Sequence, residues 1–153
     1  VPVLRKDFIL DELQIVEARA AGASAVLLIV RALPRERLES LLRFATAQRL
    51  DSLVEVHTRA ELKHALEAGA GIIGVNSRDL DTFRIDIPGA WKLLSEVPAD
   101  LVAVAESGMQ SLEDVERAAR AGADAVLVGT ALTMTQAPET LVARIASVPR
   151  HGR

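Results

Sequence analysis

The chain has 153 residues, of which 50% are hydrophobic and 3% aromatic, and its formal net charge is −3. This length suits one domain, and the high content of hydrophobic residues excludes disorder. Because aromatic residues are so few, the core must be built from Ala, Val, Leu and Ile. With no cysteine, disulfides, thiol nucleophiles and thiolate-bound metals are excluded, and the acidic balance argues against a nucleic-acid partner. The aliphatic runs are too short to span a bilayer and no secretory signal opens the chain, so we expect a cytoplasmic protein without a membrane partner.

Six short aliphatic segments predict buried strands, each followed by a segment with helical periodicity. The predicted strands cover residues 1–5, 25–30, 53–57, 72–76, 102–106 and 125–129. The predicted helices cover about 10–20, 35–48, 59–68, 89–95, 111–120 and 138–147, and two begin at capping boxes, Thr58 with Glu61 and Ser111 with Asp114. Strict alternation of strand and helix predicts an α/β fold with parallel strands.

Three similar segments, each beginning Ala-Gly-Ala, precede predicted strands. Their glycines, Gly22, Gly69 and Gly122, each follow a helical pattern and lead into an aliphatic run. This pattern is typical of a helix that ends at a glycine in the left-handed conformation and turns directly into a buried strand.

The predicted strands end in polar residues, which is where parallel α/β folds carry their functional groups. Alternation along the third strand places Leu53, Glu55 and His57 on one face and Val54 and Val56 on the other. Lys6 and Glu106 follow or end two further strands. Two carboxylates and a lysine that come together where the strands end would favour acid–base chemistry.

Small residues close the last two strands, as Ser107-Gly108 and Gly129-Thr130. Their backbone N–H groups can approach an anion, and phosphate sites of (β/α)8 barrels commonly follow strands seven and eight. We therefore predict a TIM barrel of the (β/α)8 type, truncated to six β/α units that correspond to strands three to eight. The partial barrel domain would cover residues 1–148, and residues 149–153 would form a basic C-terminal tail.

Five segments resemble the indole-3-glycerol-phosphate synthase family of tryptophan biosynthesis. They are Pro2-Val3-Leu4-Arg5-Lys6-Asp7-Phe8-Ile9, Leu53-Val54-Glu55-Val56-His57, Gly74-Val75-Asn76-Ser77-Arg78-Asp79-Leu80, Ala105-Glu106-Ser107-Gly108 and Val128-Gly129-Thr130-Ala131-Leu132. The resemblance implies a lyase that closes the indole ring of 1-(2-carboxyphenylamino)-1-deoxyribulose 5-phosphate, with loss of carbon dioxide and water and without cofactor or metal.

The resemblance also implies a role for each matching residue. Lys6 matches the general acid, Glu55 the general base or proton shuttle, and Glu106 a further carboxylate that tunes the site. The remaining matches bind substrate: Asn76 and Arg78 hold the substrate and intermediate, and Ser107, Gly108, Gly129 and Thr130 form the phosphate cradle. The family often has Asn where Ser77 stands, so no role is assigned to Ser77.

Several alternatives stay open at this point. The family's first two strands carry a Pro-Ser-x-Ser segment, a glutamate and a second lysine that this chain lacks, so we expect little or no synthase activity from the chain alone. A different phosphate-binding barrel enzyme, such as a phosphoribosylanthranilate isomerase, and a non-catalytic fragment that self-associates through exposed strand edges are the other interpretations. His57 could be a base or only a hydrogen-bonded rim residue, and Arg31 is expected to be exposed.

Overall fold

In the computed structural model, which describes residues 1–152, six strands alternate with helices along the chain. The strands are β1 (Leu4–Arg5), β2 (Ala25–Ile29), β3 (Asp51–Val56), β4 (Ile72–Asn76), β5 (Val102–Glu106) and β6 (Ala125–Leu127). The α-helices are α1 (Glu12–Ala20), α2 (Arg35–Ala47), α3 (Arg59–Glu67), α4 (Ile87–Leu94), α5 (Leu112–Arg120), α6 (Thr130–Met134) and α7 (Pro138–Ala146). This alternation is that of an α/β fold of the TIM-barrel type, as predicted.

The chain divides within β4 into two compact units, residues 1–73 and a second unit that begins at Gly74. In the first unit β1, β2 and β3 pair in parallel, with Leu4 opposite Ala25 and Ile29 opposite Glu55. The aliphatic core predicted from the composition is present, since Val26, Leu28 and Val54 are fully buried. The helices cover these strands with further buried aliphatic residues: Ile15, Ala18, Leu38, Leu41, Ala45, Leu62 and Ala65.

In the second unit β5 and β6 pair in parallel, with Val104 opposite Ala125 and Glu106 opposite Leu127. Just beyond the end of β4, the amide of Ser77 donates to the Glu106 carbonyl at 3.0 Å. The apolar core of this unit is again aliphatic and includes Leu93, Leu94, Ala103, Ala105, Val115, Ala118 and Ala119.

The three glycines behave as the sequence predicts. Gly22, Gly69 and Gly122 have φ values of 86°, 84° and 102°, which is the left-handed region that favours glycine. At each of them the next residue donates its amide to a carbonyl five residues earlier, as Ala23 does to Ala18 at 2.9 Å. This closes the helix end and turns the chain into the next strand.

Several boundaries differ from the prediction. The first strand is two residues long rather than five, and a 3₁₀ helix (Val30–Ala32) and helix α6 were not predicted. The capping box at Ser111 is complete, whereas that at Thr58 is half formed because the Glu61 carboxylate accepts from the His57 amide instead. Across residues 1–152, no helix combines the length and apolar character that crossing a bilayer requires.

Candidate active site

Strand β3 brings a carboxylate to the lysine that follows β1. Glu55 is the fifth residue of β3 and is fully buried, and its Oε2 lies 3.3 Å from Nζ of Lys6. The Lys6 side chain is 41% exposed, so its ammonium group reaches both the buried carboxylate and solvent. A proton donor and a proton acceptor predicted from the sequence therefore meet within the first unit.

This ion pair is weak evidence for stability, because removing a carboxylate from water costs about as much as the pair returns. Buried charged groups at a strand end are more typical of a site that transfers protons. The arrangement can hold an anionic group at Lys6 and accept a proton at Glu55.

Three further polar side chains are linked to Glu55 by a series of contacts. The His57 ring is 5% exposed, with Nε2 3.4 Å from Glu55 Oε1 and Nδ1 3.3 Å from Glu61 Oε2. Oε1 of Glu61 accepts from Nε of Arg31 at 3.1 Å. We call these five residues, Lys6, Arg31, Glu55, His57 and Glu61, the β3 cluster.

Arg31 is half-buried, so the prediction of an exposed side chain is wrong: its guanidinium is held by a carboxylate on another element. Burial opposes ionisation of Glu61, but hydrogen bonds from His57 and Arg31 outweigh it and place the pKa of this carboxyl below its ordinary value. The sequence predicts only a capping-box role for Glu61. His57 directly precedes the N-cap Thr58, so a carboxylate in the first turn of α3 was the available signal for a partner of His57.

In the second unit, the segment after β4 holds Asn76 and Arg78 close together. Asn76 is buried, and its Oδ1 accepts from the Arg78 amide at 3.0 Å. Asp79 caps the loop that follows, since its Oδ1 accepts from the amides of Asp81 and Thr82. The Arg78 side chain is partly exposed and its Nη1 lies 3.5 Å from the Phe83 carbonyl. A guanidinium and an amide are therefore presented at this strand end.

The end of β5 forms a turn with an unusual backbone, the β5 turn, which comprises Glu106, Ser107 and Gly108. Glu106 is 1% exposed, and Ser107 and Gly108 have φ values of 65° and 77°. Serine rarely adopts this conformation, and such residues cluster at functional sites. A Cβ on Gly108 would lie 3.0 Å from Ser77 Oγ and from Ile87 Cγ1, so any other residue would crowd these two side chains.

Gly129 and Thr130 lie on the surface, where Gly129 caps the five-residue helix α6. The Gly129 carbonyl accepts from the amides of Leu132 and Thr133. A Cβ on Gly129 would meet no atom within 4 Å, so the space above this glycine is open. Among residues 1–152, no three His, Asp or Glu side chains are grouped where they could hold a metal ion.

The comparisons with known proteins can be set against this geometry. Residues 1–145 match the family model described as indole-3-glycerol phosphate synthase. The chain belongs to this family. The indole-3-glycerol phosphate synthase of Chlorobium chlorochromatii is 48% identical over 142 residues, which cover 93% of this chain and 55% of that protein. Indole-3-glycerol phosphate synthase 1 of Streptomyces coelicolor is 46% identical, and the match covers 100% of this chain and 59% of the Streptomyces protein.

The chain thus spans between half and three fifths of the length of these family members. More distant structures share the fold alone. The 3-hexulose-6-phosphate synthase of Salmonella typhimurium has a TM-score of 0.80 at 23% identity, covering 96% of this chain and 72% of that one. A mandelate oxidase has a TM-score of 0.72 at 24% identity, and the match covers 96% of this chain and 56% of the oxidase chain.

Proposed function

We propose that this chain supplies strands three to eight of a (β/α)8 barrel and the greater part of the active site of an indole-3-glycerol-phosphate synthase. The reaction closes the indole ring of 1-(2-carboxyphenylamino)-1-deoxyribulose 5-phosphate with loss of carbon dioxide and water. The family match supports this over other phosphate-binding barrel enzymes. The observation that carries the proposal is the ion pair between Lys6 and the fully buried Glu55.

Lys6 is the general acid of this scheme. Ring closure requires a proton for the oxygen that leaves as water, and the Lys6 ammonium can donate one. The same positive charge attracts the substrate carboxylate, whose carbon leaves as carbon dioxide. Because Nζ is held by Glu55 Oε2, its position is set before substrate binds.

Glu55 is the general base. Its burial removes competing water, so a proton taken from the cyclised intermediate passes to a carboxylate and not to solvent. Glu106, also buried, is the further carboxylate that binds substrate and tunes the site.

Asn76 and Arg78 are assigned to the polar groups of the substrate and its intermediates. The hydrogen bond from the Arg78 amide fixes the Asn76 side chain, which leaves its amide hydrogens as donors. Ser107, Gly108, Gly129 and Thr130 are assigned to the phosphate cradle. Support for the first two comes from the β5 turn, where successive left-handed residues favour a concave backbone whose amides can approach an anion.

Three further expectations accompany this proposal and stay predictions. The chain would need no cofactor or metal for this reaction, since acid, base and anion-binding groups are supplied by side chains and backbone. It would act in the cytoplasm. It would form dimers or larger oligomers through strand edges, which light scattering over a range of protein concentrations would detect.

The experiment that tests the function is equilibrium binding to the 153-residue chain by isothermal titration calorimetry. We expect indole-3-glycerol phosphate, the product, to bind more tightly than inorganic phosphate, because the indole and glycerol groups add contacts at Lys6, Asn76 and Arg78. Lys6→Gln should weaken product binding. Lys63→Gln is the matched control, since Lys63 is exposed on α3 and pairs only across one helical turn with Glu67 at 3.8 Å.

Product that binds no better than phosphate would contradict the synthase function. It would favour a different phosphate-binding barrel enzyme. Binding of neither compound, together with self-association, would favour a non-catalytic fragment.

A further inference from the structure

His57 is buried between two carboxylates of the first unit, an arrangement that the roles assigned above do not use. Its Nδ1 lies 3.3 Å from Glu61 Oε2 and its Nε2 lies 3.4 Å from Glu55 Oε1. A ring so placed has both nitrogens committed to acidic partners, one on α3 and one on β3.

Glu61 fixes which nitrogen carries a proton. Its pKa lies below the ordinary value, since hydrogen bonds from His57 and Arg31 outweigh the effect of burial, so it is an ionised carboxylate at neutral pH. An ionised carboxylate only accepts hydrogen bonds. Nδ1 of His57 is therefore the donor, and the hydrogen bonds to Glu61 from the His57 amide, at 2.6 Å, and from Arg31 Nε, at 3.1 Å, keep the carboxylate in place.

The opposite nitrogen then faces Glu55 as an acceptor. In a neutral ring protonated at Nδ1, Nε2 carries only a lone pair. Glu55 Oε1 is likewise an acceptor, and within residues 1–152 neither atom has a hydrogen-bond partner. Two acceptors at 3.4 Å repel each other unless one proton lies on one of them. Lys6 donates to the other oxygen, Oε2, and Oε1 has no hydrogen-bond partner among the described residues.

We propose that His57 is a positioning residue for Glu55, and that Nε2 of His57 and Oε1 of Glu55 share one proton. With the proton on Nε2, an imidazolium faces a carboxylate; with it on Oε1, a carboxylic acid donates to a neutral imidazole. Either form holds the Glu55 carboxyl group in one orientation. Charged groups that lie beside the pair include Lys6 and, through the ring, Glu61 with Arg31.

This inference rests on the proposed role of Glu55 as the general base. With the shared proton on Nε2, Glu55 is a carboxylate and can accept the substrate proton when the reaction begins. The proton moves only between Nε2 and Oε1, and no other bond changes.

Nitrogen-15 NMR of the 153-residue chain, labelled at histidine, tests the first part. We expect the His57 signals to show a protonated Nδ1 at neutral pH, with the exposed His64 as an internal reference. Glu61→Ala removes the acceptor, so the ring should lose this preference and gain the Nε2-protonated form. A wild-type ring that is protonated at Nε2 alone would overturn the proposal.

Carbon-13 NMR of the Glu55 carboxyl group tests the second part. At neutral pH, His57→Ala should shift the Glu55 carboxyl signal, because it removes the group that faces Oε1. His57→Gln retains an N–H donor, so it should keep the signal near its wild-type position. A carboxyl signal that is the same in His57→Ala as in the wild type would overturn the proposal.

These outcomes are distinct from failure of the synthase function. Neither NMR measurement requires turnover or product binding, so a chain that binds no product but shows the shared proton contradicts only the proposed reaction. If His57→Ala does not fold, shown by loss of dispersed methyl signals, Glu61→Ala decides the question with His57 still in place.

Discussion

The β3 cluster and the β5 turn prepare functional groups in two different physical ways. In the β3 cluster, a regular strand end carries side chains that contact one another, through an ion pair between Lys6 and Glu55 and a hydrogen bond between His57 and Glu61. In the β5 turn, the backbone itself is unusual, with left-handed Ser107 and Gly108, and a Cβ at the glycine would crowd Ser77 and Ile87. We therefore expect substitutions that remove a charge to have the larger effect in the β3 cluster. In the β5 turn, we expect the larger effect from substitutions that restrict the backbone.

The largest expected effect is a loss of turnover when Glu55 loses its charge. We define a chimera from the Chlorobium chlorochromatii relative. In it, the segment of the relative that aligns with this chain over 142 residues is replaced by the aligned residues of this chain. In this chimera, Glu55→Gln should lower kcat about 10²- to 10⁴-fold, because the amide cannot accept the substrate proton.

Steady-state kinetics with thermal unfolding as a check would measure this effect. Glu39→Gln is the control, since Glu39 pairs with Arg35 on the outer face of α2 and should leave kcat unchanged. An equal loss in both variants would show that charge at β3 has no special part in the reaction.

The next effect concerns the backbone of the β5 turn. Gly108→Ala should lower the free energy of unfolding by about 1 to 3 kcal/mol, because alanine is strained at a φ of 77° and its Cβ would press on Ser77 and Ile87. Urea unfolding measures the change.

Gly71→Ala is the matched control for this substitution. A Cβ at Gly71 would meet nothing within 4 Å, so this variant should be neutral or more stable by up to about 1 kcal/mol. If Gly108→Ala were as stable as Gly71→Ala, the backbone account of the β5 turn would be wrong.

A smaller effect appears in the acid dependence of stability. The pKa of Glu61 in the folded chain lies below its ordinary value of 4.5, so the folded state binds this proton less readily than the unfolded state. The resulting stabilisation is complete above about pH 4.5 and is lost as the pH falls through the folded pKa. Glu61→Gln should therefore flatten the decline of stability with acidification in this range.

Urea midpoints at a series of pH values from neutral to strongly acidic test this expectation. Asp114→Asn serves for comparison in the second unit, where hydrogen bonds from Gln110 and Ser111 outweigh burial and likewise lower the pKa of Asp114. An unchanged acid dependence in Glu61→Gln would mean that the hydrogen bonds to Glu61 do not favour its charged form.

The smallest effect is expected for Ser107→Gly. Glycine removes the strain of a left-handed serine, worth about 1 kcal/mol, but adds a similar amount of freedom to the unfolded chain. The free energy of unfolding should therefore change by less than about 1 kcal/mol. A large loss of stability would assign the serine hydroxyl a structural role that its backbone conformation does not explain.

The sequence predicted the elements that depend on local patterns. Gly22, Gly69 and Gly122 marked helix ends because a left-handed residue is needed there, and the aliphatic runs after them gave the strands. Lys6 and Glu55 could be named because they stand at strand ends and resemble a known family. The start of β1 was misjudged, because apolar residues at 1 and 3 predict a strand from residue 1, whereas the regular strand begins at Leu4.

What the sequence could not supply were contacts between distant residues and rare backbone conformations. Arg31 and Glu61 lie 30 residues apart, so the pair that holds His57 has no signature in a local window. The left-handed backbone of Ser107 was equally hidden, because serine is usual in ordinary turns.

Turnover by the Chlorobium chimera tests the central claim, that this chain carries the acid, base and phosphate-binding groups of an indole-3-glycerol-phosphate synthase. Product formation would be followed by the fluorescence of the indole ring, with the parent enzyme measured beside it. The account predicts a kcat within about tenfold of the parent, since the charged groups and the β5 turn would be supplied intact. A chimera that folds and binds phosphate but forms no indole product would contradict it.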